Sequence, residues 1–285
     1  MLTVLAPAKL NLTLEVLAKR RDGFHKIRSV IQTINLHDSL YFKSGQAIKF
    51  KSDMPDWIPE ESLVSKAASL IQKATGCTKG STIEINKRIP LVSGLGGDSS
   101  DAAAILRGLN KLWGLELSLN ELLDLAPQLG SDVAFFLHGG TALVNGRGDM
   151  ITSLPPVPHM WVVLMIPPVP RLPGKTEQLY NSLKATHYTD GQITDKLVNL
   201  LCETGEITLP ELFNIFDDVA PANFTRLREY WQQFLEAGAQ EVHLAGSGPA
   251  LFTLVKDKTQ AEKIYFRLWQ QGLESYLTDT MSTIV

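Results

Sequence analysis

At roughly 150 residues per domain, a chain of 285 residues has room for two domains, and with 44% hydrophobic and 20% charged residues it can bury a sizeable core and lies far from disordered compositions. Its 27 basic and 30 acidic residues leave a net charge of −3, without the basic surplus that non-specific nucleic-acid binding requires. Two cysteines, Cys77 and Cys202, supply neither a disulfide framework nor a C-x-x-C pair, which suits a reducing, cytoplasmic setting; Met1 to Leu10 lacks a signal-peptide pattern, and the longest apolar run, Met160 to Ile166, is far short of the roughly 20 residues that span a bilayer.

Leu2 to Leu5 and Leu10 to Leu17 are expected as strands, the second alternating Leu10, Leu12, Leu14 and Val16 against Asn11, Thr13, Glu15 and Leu17. Asp22-Gly23 marks a turn, and Ile27 to Leu36 and Ser39 to Phe42 follow as strands around a turn at His37-Asp38. Leu63 to Gln72 reads as a helix and Thr82 to Ile85 as a strand. Asp101 to Trp113 places Ala102, Ile105, Leu106 and Leu109 on one face, the spacing of an amphipathic helix. A shorter helix starts at Leu119, where Ser118 and Glu121 form a capping-box pattern.

Seven of the 15 prolines then fall between Pro155 and Pro173. Proline fixes φ and removes a donor, so this stretch is extended and suits a crossing between domains of residues 1–152 and 153–285. Beyond it, Trp161 to Ile166 reads as a buried strand. Helices are expected near Glu177 to Leu183, Asp195 to Cys202, Ala222 to Ala237 and Thr259 to Gln271, with two short strands within Val242 to Val255. The pattern is α+β, not strict βαβα alternation.

Four segments could carry chemistry. Pro90, Leu91, Val92, Ser93, Gly94, Leu95, Gly96, Gly97, Asp98, Ser99 and Ser100 join a strand to the best helix in the chain. Glycines allow close backbone approach, and the free NH groups and dipole of a helix start attract anions; the alternative is a plain turn with Ser99 or Ser100 as cap. The loop lacks the Gly-Lys-Ser/Thr close of a Walker A motif and the last glycine of G-x-G-x-x-G. Lys9 and Asn11 share one face of a strand, either as a solvated face or as a functional pair. Asp132, just before an apolar run, either caps a helix or is a partly desolvated base. Gly246-Ser247-Gly248 is a tight turn or a backbone nest near a ligand. The six histidines show no H-E-x-x-H or similar spacing, so a metal held only by the protein is not expected.

In this order the segments resemble the GHMP kinase superfamily, whose motifs are an N-terminal Pro-Ala-Lys strand, a Pro-x-x-x-Gly-Leu-Gly-Gly/Ser-x-Ser-Ser phosphate loop and a C-terminal Gly-Ser-Gly hairpin. Here these are Pro7-Ala8-Lys9, Pro90 to Ser100, and Gly246-Ser247-Gly248. Arg21-Asp22-Gly23-Phe24-His25 and Gly130-Ser131-Asp132-Val133 are similar to segments of the superfamily's kinases that act on 4-diphosphocytidyl-2-C-methyl-D-erythritol. The resemblance implies a two-domain GHMP kinase fold, with a ribosomal S5 domain 2-like N-terminal domain and a ferredoxin-like C-terminal one. It also implies phosphorylation of that substrate's 2-hydroxyl by ATP, with Mg²⁺ carried by the nucleotide, in the non-mevalonate isoprenoid route; the balanced charge and short apolar runs separately argue against a nucleic-acid or membrane partner.

By the same resemblance Asp132 accepts the hydroxyl proton and Lys9 holds Asp132 and the hydroxyl together, while Pro90 to Ser100 bind ATP. Asn11 contacts the erythritol part. Phe24 and Tyr180 stack on cytosine, His25 hydrogen-bonds to it, Thr176 lies near the phosphates, and Gly246, Ser247 and Gly248 complete the substrate site. The chain departs from the family pattern at Asp98, where a glycine or serine is usual, at Phe24, usually tyrosine, and at Ser62, commonly asparagine near adenine. A GHMP kinase of another alcohol would use the loop and Lys9 equally, though not the Asp22 to His25 segment. The alternative from a different class is a nucleotide-binding module without catalysis.

Overall fold

Two long antiparallel strands, β1 (Leu2–Lys19) and β2 (His25–Gly45), form the spine of the computed structural model, which describes residues 1–55, 57–170, 174–207 and 209–283. Each replaces two of the shorter strands expected from sequence. Pro7 and His37 do not end strands: the register shifts there, from Pro7 opposite His37 to Ala8 opposite Ile34, so the extra residues are absorbed as a bulge that bends the ribbon. The turn expected at His37-Asp38 is therefore extended chain, and Asp38 is fully buried.

The bend lets β2 serve two neighbours. After β3 (Lys49–Ser52), α1 (Leu63–Thr75) and β4 (Gly80–Asn86), strand β4 pairs with the second half of β2 and with β3. Next come α2 (Gly97–Trp113), α3 (Leu119–Leu125), α4 (Ser131–His138), β5 (Thr141–Gly146) and β6 (Met150–Ser153). Strand β5 pairs with the first half of β2 and with β6. The capping box of α3 is formed, Ser118 accepting from the Glu121 amide and Glu121 from that of Ser118. Leu40, Phe42, Ile83 and Ile85 of this sheet are buried against Ala67 and Ile71 of α1, Ile105 and Leu109 of α2, and Phe135 and Phe136 of α4.

The proline-rich stretch, whose Pro173 lies outside the described residues, leads into β7 (Trp161–Ile166). Then follow α5 (Lys175–Ser182), α6 (Gln192–Thr204), β8 (Phe213–Asn214), α7 (Phe216–Asn223), α8 (Leu227–Glu236), β9 (His243–Leu244), β10 (Leu251–Val255), α9 (Lys258–Gln270) and β11 (Glu274–Asp279). The single helix expected over Ala222 to Ala237 is two helices, because the chain turns between Phe224 and Arg226, the latter at φ 64°. Strands β7, β9, β10 and β11 form an antiparallel sheet in the order β11-β7-β10-β9. Numbered along the chain this is 4-1-3-2, the order of a ferredoxin-like unit.

The two halves are sewn together. From the second half, β8 adds to β1 in parallel, Thr280 bridges Ile34, and the Met281 amide donates to Thr33 O at 2.9 Å. One apolar cluster joins Leu10 and Leu12 of β1 to Val162, Leu164 and Phe252 of the second sheet; another joins Leu14 and Val16 to α5, α7, α8 and α9. The middle of β1 thus lies at the junction of the two halves. Among the described residues, no helix is long and apolar enough to cross a membrane.

Candidate active site

Opposite the buried Leu10 and Leu12, the other face of β1 presents Lys9 and Asn11 to a cavity of about 270 Å³. Lys9 Nζ donates to Asn11 Oδ1 at 2.6 Å and stands 3.6 Å from Asp132 Oδ2. Asn11 Nδ2 donates to Ser29 Oγ at 2.8 Å, so β2 fixes the amide and the amide steers the lysine. Asp132 comes from the first turn of α4, which starts after Gly130, and its side chain is 38% exposed where that of Lys9 is 7% exposed. It makes no capping bond to that helix. A fixed cation therefore faces a carboxylate that solvent or a ligand can reach.

The glycine-rich loop closes over this pair. Its Leu95 carbonyl accepts from the Lys9 amide at 2.9 Å, and its Ser93 carbonyl from the Ala250 amide at 3.1 Å. Gly94 has φ 93°, and a Cβ there would lie 1.9 Å from the Ala245 carbonyl oxygen; Gly96 has φ 78°, and a Cβ would meet the Phe136 ring at 2.8 Å. Both positions combine a left-handed backbone with an approach that only glycine permits. Val92 is held at φ 55° although it is β-branched, the kind of local strain that persists where the surroundings fix the backbone. Gly96 is the N-cap of α2 with no side-chain cap, so neither Ser99 nor Ser100 caps the helix. Unbonded amides at a helix start, aimed from a glycine loop, form an anion site. Gly97, Asp98 and Ser99 of the first turn line the cavity, Asp98 as an exposed carboxylate on its rim, whereas Leu95 and Ser100 are buried in the core.

Beneath the loop, Lys87 Nζ donates to Asp38 Oδ2 at 2.5 Å and Asp101 Oδ2 at 2.6 Å, all three side chains at most 1% exposed. Asp38 Oδ1 also accepts from the amides of Arg88 and Ile89, which anchors the strand leading into the loop. Burial drives the Asp101 carboxyl up to about 8 against the pull of Lys87. Burial lowers Lys87 too, but attraction to Asp101 and Asp38 leaves it above its ordinary value. Removing one partner of a buried ion cluster strands the others. Lys87→Met is expected to destabilise the protein by about 3–5 kcal/mol, read as a lower urea midpoint; a loss below about 1 kcal/mol, the worth of an exposed pair, would show that the cluster does not anchor the loop.

The second half supplies the opposite wall. Lys175 and Thr176 open α5, Thr176 Oγ1 lies 2.9 Å from Ser247 Oγ, and Lys175 Nζ donates to the Gly248 carbonyl. Asn214 Nδ2 holds the hairpin by donating to Leu244 O at 2.9 Å and Gly246 O at 2.8 Å. A Cβ on Gly246 would stand 3.2 Å from Lys9 Nζ and 3.0 Å from the Gly94 carbonyl, so hairpin, loop and lysine meet at one point. Tyr180 and Phe216 complete this wall, their rings edge-to-face at 5.0 Å.

The cavity brings together Lys9, Asn11, Asp132, most of the loop, Thr176, Tyr180, Gly246 and Ser247. Phe24, His25 and Gly248 are not among its walls. The His25 ring is stacked on Tyr180 at 4.8 Å and 22°, while Phe24 is 53% exposed with the Arg147 guanidinium 5.5 Å from its ring centre. The aromatic pair expected to sandwich a base is not assembled, since an imidazole occupies a face of Tyr180. Ser62 N-caps α1, accepting from the Val64 amide at 3.2 Å. Lys87, Lys175, Asn214 and Phe216 were not singled out from sequence. A lysine directly after an apparent strand, or at a helix start, gives no local sign that it will be buried.

A family model described as "GHMP kinases N terminal domain" matches residues 62–140, and one described as "GHMP kinases C terminal" matches residues 183–274. A protein of Dehalococcoides mccartyi named 4-diphosphocytidyl-2-C-methyl-D-erythritol kinase is 50% identical over 284 residues, covering 100% of each chain. One of Enterococcus faecalis with the same name is 37% identical over 97% of this chain and 98% of its own. A crystal structure of a 4-(cytidine 5'-diphospho)-2C-methyl-D-erythritol kinase superposes with a TM-score of 0.83 at 30% identity, covering 98% of this chain and 99% of that one. The homoserine kinase of Cytophaga hutchinsonii, at 21% identity, shares the fold with a TM-score of 0.73 over 99% of this chain and 95% of its own.

Proposed function

The chain belongs to the GHMP kinase family and, within it, to the 4-diphosphocytidyl-2-C-methyl-D-erythritol kinases, and from that membership we propose that Asp132 is its catalytic base and Lys9 the cation that orients and neutralises the reacting groups. The reaction is the ATP-dependent phosphorylation of the substrate's 2-hydroxyl, giving the 2-phosphate and ADP in the non-mevalonate route to isoprenoids.

The 3.6 Å approach of Lys9 to Asp132, inside the cavity that the glycine loop overhangs, is the observation that carries the assignment. Phosphoryl transfer asks the protein mainly for positioning and for stabilisation of charge on the transferred group. The loop amides and the start of α2 hold the γ-phosphoryl from one side. From the other, Asn11 and Lys9 fix the acceptor hydroxyl against Asp132, which takes its proton as the oxygen attacks phosphorus. Lys9 then offsets the negative charge on the attacking oxygen.

Among the described residues no group of three or more His, Cys, Asp or Glu could hold a metal ion. Mg²⁺ carried by the nucleotide would meet Asp98, an exposed carboxylate on the rim of the cavity and the one chain group there suited to a hard cation not already paired with a lysine. When bound, that ion offsets charge on the β- and γ-phosphates.

Burial, aided by repulsion from Lys19, lowers His25 below its ordinary value, so its neutral ring offers one donor and one acceptor to a pyrimidine edge. Cytosine takes the place of the imidazole against Tyr180, and Phe24 with Arg147 closes the outer side. Base–aromatic stacking is worth about 1–3 kcal/mol, so Tyr180→Ala raises the KM for the cytidyl substrate by about 10- to 100-fold and leaves that for ATP unchanged; equal effects on both would remove the stacking role. Two free cysteines, Cys77 and Cys202, support a reducing, cytoplasmic setting.

ADP release in parallel reactions with the cytidyl alcohol, mevalonate, homoserine and galactose tests the substrate class. Turnover with the cytidyl alcohol alone is expected. Turnover with another alcohol in its place would remove the cytosine pocket, and ATP binding without turnover would favour a non-catalytic module.

A further inference from the structure

Three lysines line the cavity, and their charges are balanced unequally. Lys87 is held by two carboxylates and Lys9 stands 3.6 Å from one. Lys175 has no carboxylate within ion-pair reach among the described residues. It is 7% exposed, and its ammonium donates to a neutral acceptor, the Gly248 carbonyl. It is also the first residue of α5, where the helix dipole disfavours a cation and favours an anion. A buried cation without a counter-charge is costly, and this one is aimed at the junction of the glycine loop, the Gly-Ser-Gly hairpin and Lys9.

We propose that Lys175 is a phosphate-binding cation of this site, turning its ammonium from the Gly248 carbonyl to an oxyanion of a bound nucleoside diphosphate or triphosphate. The inference rests on the reading of the cavity as a site for phosphate esters. The shared chemistry is a phosphate oxyanion, supplied by the diphosphate of the acceptor or by the phosphates of the donor.

Burial first, then repulsion from Lys9, pushes the Lys175 ammonium down to about 7. Of the other ionisable groups on the cavity wall, Asp132 of α4 pairs with Lys9, Lys87 is bonded to Asp38 and to Asp101, whose carboxyl burial raises to about 8, Asp98 of α2 is exposed on the rim, and Tyr180 on the same helix as Lys175 is raised by burial and by Asp132. In the free protein above neutral pH the amine is thus largely uncharged. An oxyanion beside it favours the ammonium, so binding draws one proton from solvent onto Nζ, and affinity falls as pH rises between the free and bound values.

Calorimetric titration of the whole protein with CDP and, separately, ADP, in two buffers of different ionisation enthalpy, reads that proton directly. At about pH 8.5, above the free Lys175 and below an ordinary lysine, the expected result is uptake of close to one proton with one of the two ligands. CDP would assign the acceptor's diphosphate and ADP the donor's phosphates. Lys175→Met should abolish the uptake and weaken that ligand about 10- to 100-fold, the worth of a charge-assisted hydrogen bond. Absence of uptake with both ligands in the native protein would overturn the proposal, as would uptake that persists in Lys175→Met. The readout is binding, so it stands or falls separately from turnover.

Discussion

Asp132→Asn is expected to lower kcat by about 10²- to 10⁴-fold, the usual contribution of a positioned general base, with the KM for ATP little changed. The amide keeps the size of the carboxylate and its place in the first turn of α4, but it cannot accept the hydroxyl proton. Lys9 keeps its 2.6 Å bond to Asn11 and loses its counter-charge at 3.6 Å, so the geometry of the cavity survives while its charge changes. On the assignment proposed above, the loop and the start of α2 hold the nucleotide phosphates, which is the reason for the expected asymmetry between kcat and KM. Steady-state kinetics on a variant with native circular dichroism checks this, and an unchanged kcat would remove Asp132 as the base.

Gly94→Ala should be nearly as damaging, by a different route. A side chain at φ 93° costs roughly 1–3 kcal/mol of backbone strain, and its Cβ would lie 1.9 Å from the Ala245 carbonyl. Backbone on both sides leaves no flexible group to yield, so the loop must move off the hairpin. A displacement near 1 Å in a positioning element costs about 100-fold in rate. A fall of about that size in kcat/KM for ATP is expected, with a lower Tm. Near-native kcat/KM would show that the loop and hairpin need not interlock for transfer.

The elements read correctly from sequence are those whose signals are local. The apolar stripes of α1 and α2 and the capping box of α3 each declare themselves within a few residues. The elements that escaped have distant causes. Asp38 looks like a turn residue because its partners, Lys87 Nζ and the amides of Arg88 and Ile89, lie about 50 residues away. Pro7 looks like a strand end because nothing nearby reveals the bulge opposite it. In α4, Val133 to Leu137 are all buried, so no polar face gives the run a helical period. β8 is two residues long and exists only because β1 offers it an edge.

The candidate site divides the same way. Lys9, Asn11, Asp132 and the loop are picked out by motif order, each motif being a short segment with a fixed local geometry, and the structure sets all but Leu95 and Ser100 around one cavity. Lys175 and Lys87 owe their roles to burial against residues far along the chain. The arrangement of Phe24, His25 and Tyr180 could not be read at all, because which ring covers which face is decided by packing between the two halves.

Phosphorus NMR of the product formed from Mg-ATP and 4-diphosphocytidyl-2-C-methyl-D-erythritol tests the central claim most directly. The carbon bearing the 2-hydroxyl also bears the methyl group and carries no hydrogen. The predicted result is one new phosphomonoester signal, without three-bond proton splitting, appearing as ADP accumulates and growing about 10²- to 10⁴-fold more slowly with Asp132→Asn. A doublet or triplet would place the phosphate on a secondary or primary hydroxyl and contradict the geometry assigned to Lys9, Asn11 and Asp132. ADP accumulating without any new monoester would contradict transfer to this alcohol altogether.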